Sequence, residues 1–305
     1  MTVGNAEGKK APALFDAHCH LDWEADPVAV ARACGQRGLV LACCTVTPQA
    51  FLTARGALAA APNVVLGVGA HPWWVADGRV GQTDVDLAAA RAAEAPLVGE
   101  VGLDFSPARS DAAGNQTQVK ALTRICGAAA ASAGGGPAGQ RVISLHAVRS
   151  AGTCLDVLEA TGAAARCRCV MHWFSGSSDE LDRALRLGCS FSVGERMLAT
   201  RRGREYARQL PAARLLLETD LPDGAGQGVG ADGLLSSLDR ALTALAQARG
   251  VDKDELAAKL SANARALADG GCTLAVSVRV SLGGHARAHG KVFFATCCLT
   301  QRRGP

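Results

Sequence analysis

Eight short apolar runs recur along the 305-residue chain, separated by helix-length segments rich in Ala, Leu and Arg. The runs are ALFDAHCH (13–20), GLVLACCTV (38–46), VVLGVGAH (64–71), PLVGEVGLD (96–104), RVISLHAV (141–148), CVMHWF (169–174), SFSVG (190–194) and LLLETD (215–220). Helices are predicted over 27–35, 49–60, 84–94, 116–132, 150–161, 178–187, 201–209, 233–248 and 252–268. Strands alternating with helices make βαβ units and a parallel sheet. Near-continuous apolar runs fit strands buried on both faces. Eight is the number that closes a (β/α)8 TIM barrel, with a doubly wound open sheet as the alternative. The polar residues favour the barrel. In run after run, a His or carboxylate follows the apolar stretch, at the end where a barrel gathers its functional groups.

With 49% hydrophobic and 20% charged residues, the chain has material for a large core, which excludes disorder for its body. No stretch reaches the roughly 18 apolar residues of a membrane helix. A formal net charge of +4 is too small to announce a nucleic-acid binder by itself. The expected organisation is a disordered lead-in over 1–12, a barrel over 13–269 and an extension of unread structure over 270–305. The lead-in has no secretory pattern, so the expected location is the cytoplasm, with the nucleus as the other soluble compartment. Twelve cysteines include no C-x-x-C pair, and most sit in apolar runs, so they are expected to be buried structural thiols rather than a zinc ribbon or a disulfide framework.

The run ends carry the chemistry. His18 and His20 flank Cys19, and the strand period of two puts both imidazoles on one face. Glu100 is read as the tip of the fourth run, where a buried carboxylate needs a partner: an arginine in one reading, a pair of cations in the other. His146 and His172 each stand alone in a buried-looking strand, a pattern that suits a hydrogen-bonded core residue as well as a ligand. Asp220 ends the eighth run, with Glu218 two residues earlier on the same face. Together these four His and two carboxylates at one barrel mouth suit one or two divalent ions of the Zn, Mn or Mg type. His71, before Pro72, either caps a turn or contacts substrate without holding metal. Trp73 and Trp74 either stack on a base or pack under the loop. In FSGSS (174–178), Ser175 and Ser177 precede a helix and could cradle a phosphate or simply cap it. Arg196, Arg201, Arg202, Arg204 and Arg208 form a basic cluster that is a solvated face by default and a phosphate contact otherwise.

The blocks FDAHCHLD, GAHPWW, VGEVGLD, SLHAVR, MHWFSGS and ETDLPD, in this order and spacing, resemble the TatD family of metal-dependent hydrolases and deoxyribonucleases across residues 13–269. The resemblance implies a TIM barrel of the amidohydrolase type with two divalent metal ions, Mg²⁺, Mn²⁺ or Zn²⁺. It implies that His18 and His20 hold one ion, that Glu100 bridges, and that His146 and His172 complete the second. Asp220 would bind metal and manage the proton of the attacking water, and His71 would sit beside the substrate. It further implies 3′–5′ exonuclease action on single-stranded DNA or RNA, with no membrane and no protein partner called for. Roles in DNA catabolism and repair would follow. Asn263 and Leu267 fill the place where the family closes its last helix.

Two rivals remain open. One is an amidohydrolase-type enzyme cleaving a C–N or C–O bond. Many such enzymes carry a modified Lys on the fourth strand, where this chain has Glu100. The other is a non-catalytic metal-binding scaffold, which the intact set of six candidate ligands disfavours.

Overall fold

The computed structural model describes residues 14–133 and 140–268. The expected lead-in, the extension over 270–305 and most of the Gly-rich stretch before residue 140 lie outside the described residues. Eight strands follow one another: β1 (Leu14–Cys19), β2 (Leu39–Cys44), β3 (Val64–Ala70), β4 (Leu97–Asp104), β5 (Val142–Val148), β6 (Arg168–His172), β7 (Ser190–Val193) and β8 (Leu215–Leu217). They pair in chain order, each parallel to the next. The ring closes just past the strand ends, where the His18 carbonyl accepts from the Asp220 N–H at 2.9 Å and the His20 N–H donates to the Leu221 carbonyl at 2.8 Å. The architecture is a (β/α)8 barrel, as the alternation of runs predicts.

Helices cover the outside: α1 (Pro27–Gln36), α2 (Pro48–Ala57), α3 (Pro72–Ala76), α4 (Gln82–Ala92), α5 (Ala112–Ser132), α6 (Ala151–Ala160), α7 (Ala163–Arg166), α8 (Ser178–Arg186), α9 (Glu195–Ala199), α10 (Arg201–Gln209), α11 (Gly230–Arg249) and α12 (Lys253–Ala268). Their starts follow from local chemistry. Asp26 and Thr47 each accept a backbone N–H from three residues on, at 2.9 and 3.0 Å, and each is followed by a proline that needs no donor partner. α5 starts four residues earlier than its apolar pattern predicts, because Asp111 caps it through Gly114 N–H at 2.8 Å. α3, α7 and α9 are too short to show a period in sequence.

Leu39, Leu41, Leu145 and Phe191 are fully buried, each such side chain contributing roughly 1.5–3 kcal/mol. The nine described cysteines are all free and buried among these apolar groups. α12 seals the N-terminal end of the barrel. Asn263 Nδ2 donates to the carbonyls of Ala212 and Leu215 at 2.6 and 2.9 Å, and Ala264 and Leu267 then line a small cavity of about 70 Å³ with Phe15 and Leu216. With that end sealed, polar groups collect at the other. No helix among the described residues is long and apolar enough to cross a membrane.

Candidate metal centre

Glu100 occupies the axis of the barrel, but not as the tip of its strand. β4 runs on to Asp104, and Glu100 lies mid-strand. It reaches the centre because the ladder is irregular on both sides: the register shifts between Val68 and Ala70 against β3, and between Val98 and Val101 against β5. In that bulge the Glu100 N–H skips β3 and donates to the Thr45 carbonyl at the end of β2, at 2.8 Å. Gly69 makes the crossing possible. A Cβ there would stand 1.6 Å from the Thr45 carbonyl oxygen and 2.7 Å from Glu100 N, which only glycine tolerates.

All five described histidines surround this carboxylate. Oε2 lies 3.4 Å from His18 Nε2 and 3.5 Å from His20 Nε2. Oε1 lies 2.7 Å from His146 Nδ1, 3.1 Å from His172 Nε2 and 3.3 Å from His71 Nε2. Asp220 Oδ1 completes one side, 3.4 Å from His20 Nε2 and 3.8 Å from His18 Nε2. Asp220 sits beyond β8 with a φ of 56°, a left-handed conformation held by its N–H bond to the His18 carbonyl. Non-glycine residues keep such backbone only where the surroundings enforce it, and commonly at functional sites.

The far nitrogens set the tautomers. His20 Nδ1 is 2.8 Å from the Cys44 carbonyl, which can only accept, so Nδ1 carries a proton and Nε2 is the nitrogen turned to the carboxylates, with a lone pair for a cation that displaces its proton. His18 Nδ1 meets the Ser144 hydroxyl at 2.8 Å. His71 is arranged the other way. Its Nδ1 accepts the Trp73 N–H at 3.2 Å, so the proton of the neutral ring is on Nε2, facing Glu100. In that neutral form His71 turns an N–H to Glu100, and the same Nδ1 bond caps α3, as the turn-capping reading has it.

Charge follows from burial and neighbours. Burial lowers the His71 and His18 imidazoles from their ordinary range, and a neighbouring imidazole in each case lowers them further. Burial pushes the Glu100 carboxyl up, but the charge of His172 and the bonds from His146 and His172 hold it well below the usual carboxylate range. Asp220 is likewise raised by burial and brought down further by His20 and His172. Burial opposes charge on His20, yet Asp220 and Glu100 raise it to about 9.

This donor set fits divalent cations. The buried ring nitrogen His18 Nε2 has no hydrogen-bond partner among the described residues, a cost of about 1–3 kcal/mol. His18 Nε2 faces both carboxylates. Three groupings bring ligand atoms within 4.8 Å of one another: His18, Glu100 and His172; His18, His20 and Asp220; His71, Glu100 and His146.

Two buried carboxylates escape the sequence reading as site residues or are only noted there. Asp104 Oδ2 accepts Trp73 Nε1–H at 2.6 Å and faces His146 Nε2 at 3.3 Å. Glu218 accepts the Trp173 N–H at 3.2 Å, bonds the Ser192 hydroxyl and lies 3.5 Å from His172 Nδ1. The signal for Glu218 was its period-two spacing from Asp220; for Asp104 it was the polar end of an otherwise apolar strand.

A cleft of about 850 Å³ opens above the cluster, and Ser175 and all four tryptophans of the chain line it. Ser177 does not. Its hydroxyl accepts the Glu180 N–H at 3.2 Å, while Glu180 takes the Ser177 and Gly152 N–H groups at 2.7 Å. The anion at that helix start is the helix's own glutamate. Of the predicted basic cluster, Arg196 lines the cleft; Arg204 caps α9 through the Leu198 and Ala199 carbonyls, and Arg208 pairs with Glu205.

A parallel (β/α)8 barrel whose strand ends gather imidazoles and carboxylates around one buried glutamate defines the class of metal-centred barrel proteins. Within that class, a family profile described as TatD related DNase matches residues 15–269. The chain belongs to the TatD-related DNase family. A 3′-5′ ssDNA/RNA exonuclease TatD from Erwinia amylovora is 38% identical over 106 residues, 32% of this chain and 41% of the relative. One of the same description from Yersinia pseudotuberculosis is 45% identical over 56 residues, 17% of this chain and 22% of the relative. The matched stretches thus span at most about two-fifths of these curated relatives. In fold, the chain resembles the TatD homologue YJJV of Escherichia coli K12, with a TM-score of 0.68 at 23% identity, over 85% of this chain and 98% of that one. A TatD family hydrolase of Entamoeba histolytica follows, with a TM-score of 0.67 at 16% identity, over 84% and 98%.

Proposed function

We propose that this chain is a metal-dependent phosphodiesterase of the exonuclease type, acting on single-stranded DNA or RNA in the 3′ to 5′ direction. The observation that carries the reading is the division of Glu100: one oxygen faces His18 and His20, the other His146 and His172. A carboxylate so divided suits a bridge between two cations. His18, His20 and Asp220 would hold one ion, His146 and His172 the other, with Mg²⁺, Mn²⁺ and Zn²⁺ all compatible with the donors. Ions held there would supply polarisation of a phosphodiester and a more acidic attacking water. Asp220, kept ionised by its histidine neighbours, accepts the proton of that water. His71 donates its Nε2–H to a phosphate oxygen. Asp104 and Glu218 orient His146 and His172 from behind, and Ser175 borders the bound strand. The relatives described as 3′-5′ ssDNA/RNA exonucleases support the substrate and the polarity. A role in DNA catabolism or repair, in the cytoplasm or nucleus, accords with that activity.

The test is hydrolysis of an end-labelled single-stranded oligonucleotide by metal-stripped protein with Mg²⁺, Mn²⁺ or Zn²⁺ restored, against Asp220→Ala and Glu100→Ala. Metal-dependent shortening from the 3′ end, absent in both variants, is expected. Ions bound in the wild type without cleavage under any metal would move the assignment to a small-molecule C–N or C–O substrate.

A further inference from the structure

Three arginines lie over three tryptophans around the mouth of the cleft, and they are not equivalent. Arg109 stands over Trp73, its guanidinium carbon 3.8 Å from the ring centroid; Arg79 stands over Trp74 at 4.5 Å; Arg196 stands over Trp173 at 5.7 Å. All six residues line the same cleft. The first two pairs rise from the segments after β3 and β4. The third rises from the segments after β6 and β7. In a ring of eight strands paired in chain order, β3 stands opposite β7, so the pairs face one another across the metal centre.

Their charges differ. Arg196 is spent within the protein, its guanidinium bonded to Asp220 at 3.4 Å and to Asp223. Arg109 has no carboxylate in ion-pair reach among the described residues, and Arg79 meets only Asp77, in a pair more than two-fifths exposed on both sides. Exposed pairs of that kind are weak and exchange readily for another anion. An indole beneath a guanidinium occupies its face and leaves the edge N–H groups for the paired bonds that recognise phosphate. On Arg109 that edge is open among the described residues, while on Arg79 the Nε and Nη2 side is bonded to Asp77 at 2.9 and 2.7 Å, so a phosphate there must displace an exposed carboxylate. The Trp73 ring is itself fixed by its bond to Asp104 at 2.6 Å, so Arg109 is held on a fixed platform.

We propose that Arg79 and Arg109 are the phosphate clamps for the body of a single-stranded polynucleotide, so that the strand runs out over the Trp73–Trp74 wall and the released nucleotide departs past Trp173 and Arg196. The cleft is polar in the directional sense: two available cations on one side, a neutralised one on the other. This rests on the nuclease reading above and adds which wall carries the polymer.

The experiment measures binding of a fluorescein-labelled phosphorothioate oligothymidylate to the metal-loaded protein by anisotropy across a salt series, beside hydrolysis of the natural oligonucleotide. Each phosphate contact to a single strand adds about 0.7 to the slope of log affinity against log salt. The Arg79→Gln/Arg109→Gln double variant should lower the slope by about 1.4 and weaken binding more than tenfold at 0.1 M salt. Arg109→Lys, which keeps the charge, should keep the slope. Arg208→Gln, outside the cleft, should match the wild type. A double variant with the wild-type slope overturns the assignment even if the enzyme cleaves DNA. Binding with the expected slopes but no cleavage of the natural strand overturns the nuclease reading and leaves the clamps standing. No binding by the wild type overturns both.

Discussion

The Trp73 backbone N–H donates to His71 Nδ1 at 3.2 Å, and this one bond separates His71 from the other four imidazoles of the site. Its remaining nitrogen, 3.3 Å from Glu100 Oε1, carries the neutral ring's proton and has no lone pair to offer a cation. His71→Ala is therefore expected to keep the wild-type metal content while turnover falls by about 10²–10³-fold, the usual cost of one lost donor to a reacting oxyanion. Metal analysis beside steady-state kinetics separates the cases. Loss of a bound ion in the variant would return His71 to the ligand set.

Gly69 holds Glu100 at the axis without touching it through any side chain. Its missing Cβ is what lets Glu100 N–H reach the Thr45 carbonyl across β3. In Gly69→Ala either the bond breaks or the strands part, so a stability loss of about 2–4 kcal/mol is expected, at the severe end for a single added methyl. Because Glu100 moves with the strand, metal affinity should fall with stability. Urea denaturation and a metal titration on the same variant test the pair. A stable variant with intact metal binding would show that the bulge does not set the position of Glu100.

The barrel was legible because parallel strands buried on both faces read as unbroken apolar runs, and because His18 and His20 keep the strand period. What made Glu100 central was not legible. Its place depends on Thr45, just past β2, on Gly69 of β3 and on Glu100 of β4 coming together, whereas the apolar run by itself suggests a carboxylate at a strand tip. Asp104 was hidden for a related reason: its function is set by an indole 31 residues away. Ser177 shows the converse limit. The same letters serve a phosphate cradle and a helix cap, and the choice falls to Glu180, which fills the donors first.

Asp104 stands between Trp73 Nε1 at 2.6 Å and His146 Nε2 at 3.3 Å, and burial, which would raise its carboxyl, is outweighed by the bonds from His146, Ser106 and Trp73. An ionised carboxylate behind a metal-binding imidazole fixes the ring and strengthens it as a ligand. Asp104→Asn keeps an acceptor for the indole but removes the charge, and should weaken binding at the His146 site by about 10–100-fold. Competition with a chelator measures this directly. Affinity equal to the wild type would confine Asp104 to anchoring Trp73.

Asp16 is buried beneath His18. It accepts the His18 and Thr219 N–H groups at 3.2 and 3.0 Å and the Thr219 hydroxyl at 2.6 Å. Burial nonetheless raises its carboxyl from the ordinary 3.8 to about 7. The folded protein thus keeps this proton where the unfolded chain has lost it, so protonation favours folding. The contribution is fully present below about pH 4 and is lost as pH rises through about 7, the reverse of the usual aspartate. Asp16→Asn can keep all three bonds, its amide donating to the Thr219 hydroxyl, and it has no charge to bury. Between pH 5 and pH 8 the metal-stripped wild type should therefore lose on the order of 2 kcal/mol relative to Asp16→Asn. Urea unfolding of both proteins across that range measures the difference. Parallel curves would mean that Asp16 is already ionised in the folded state at pH 5, its charge carried by the bonds from His18 and Thr219.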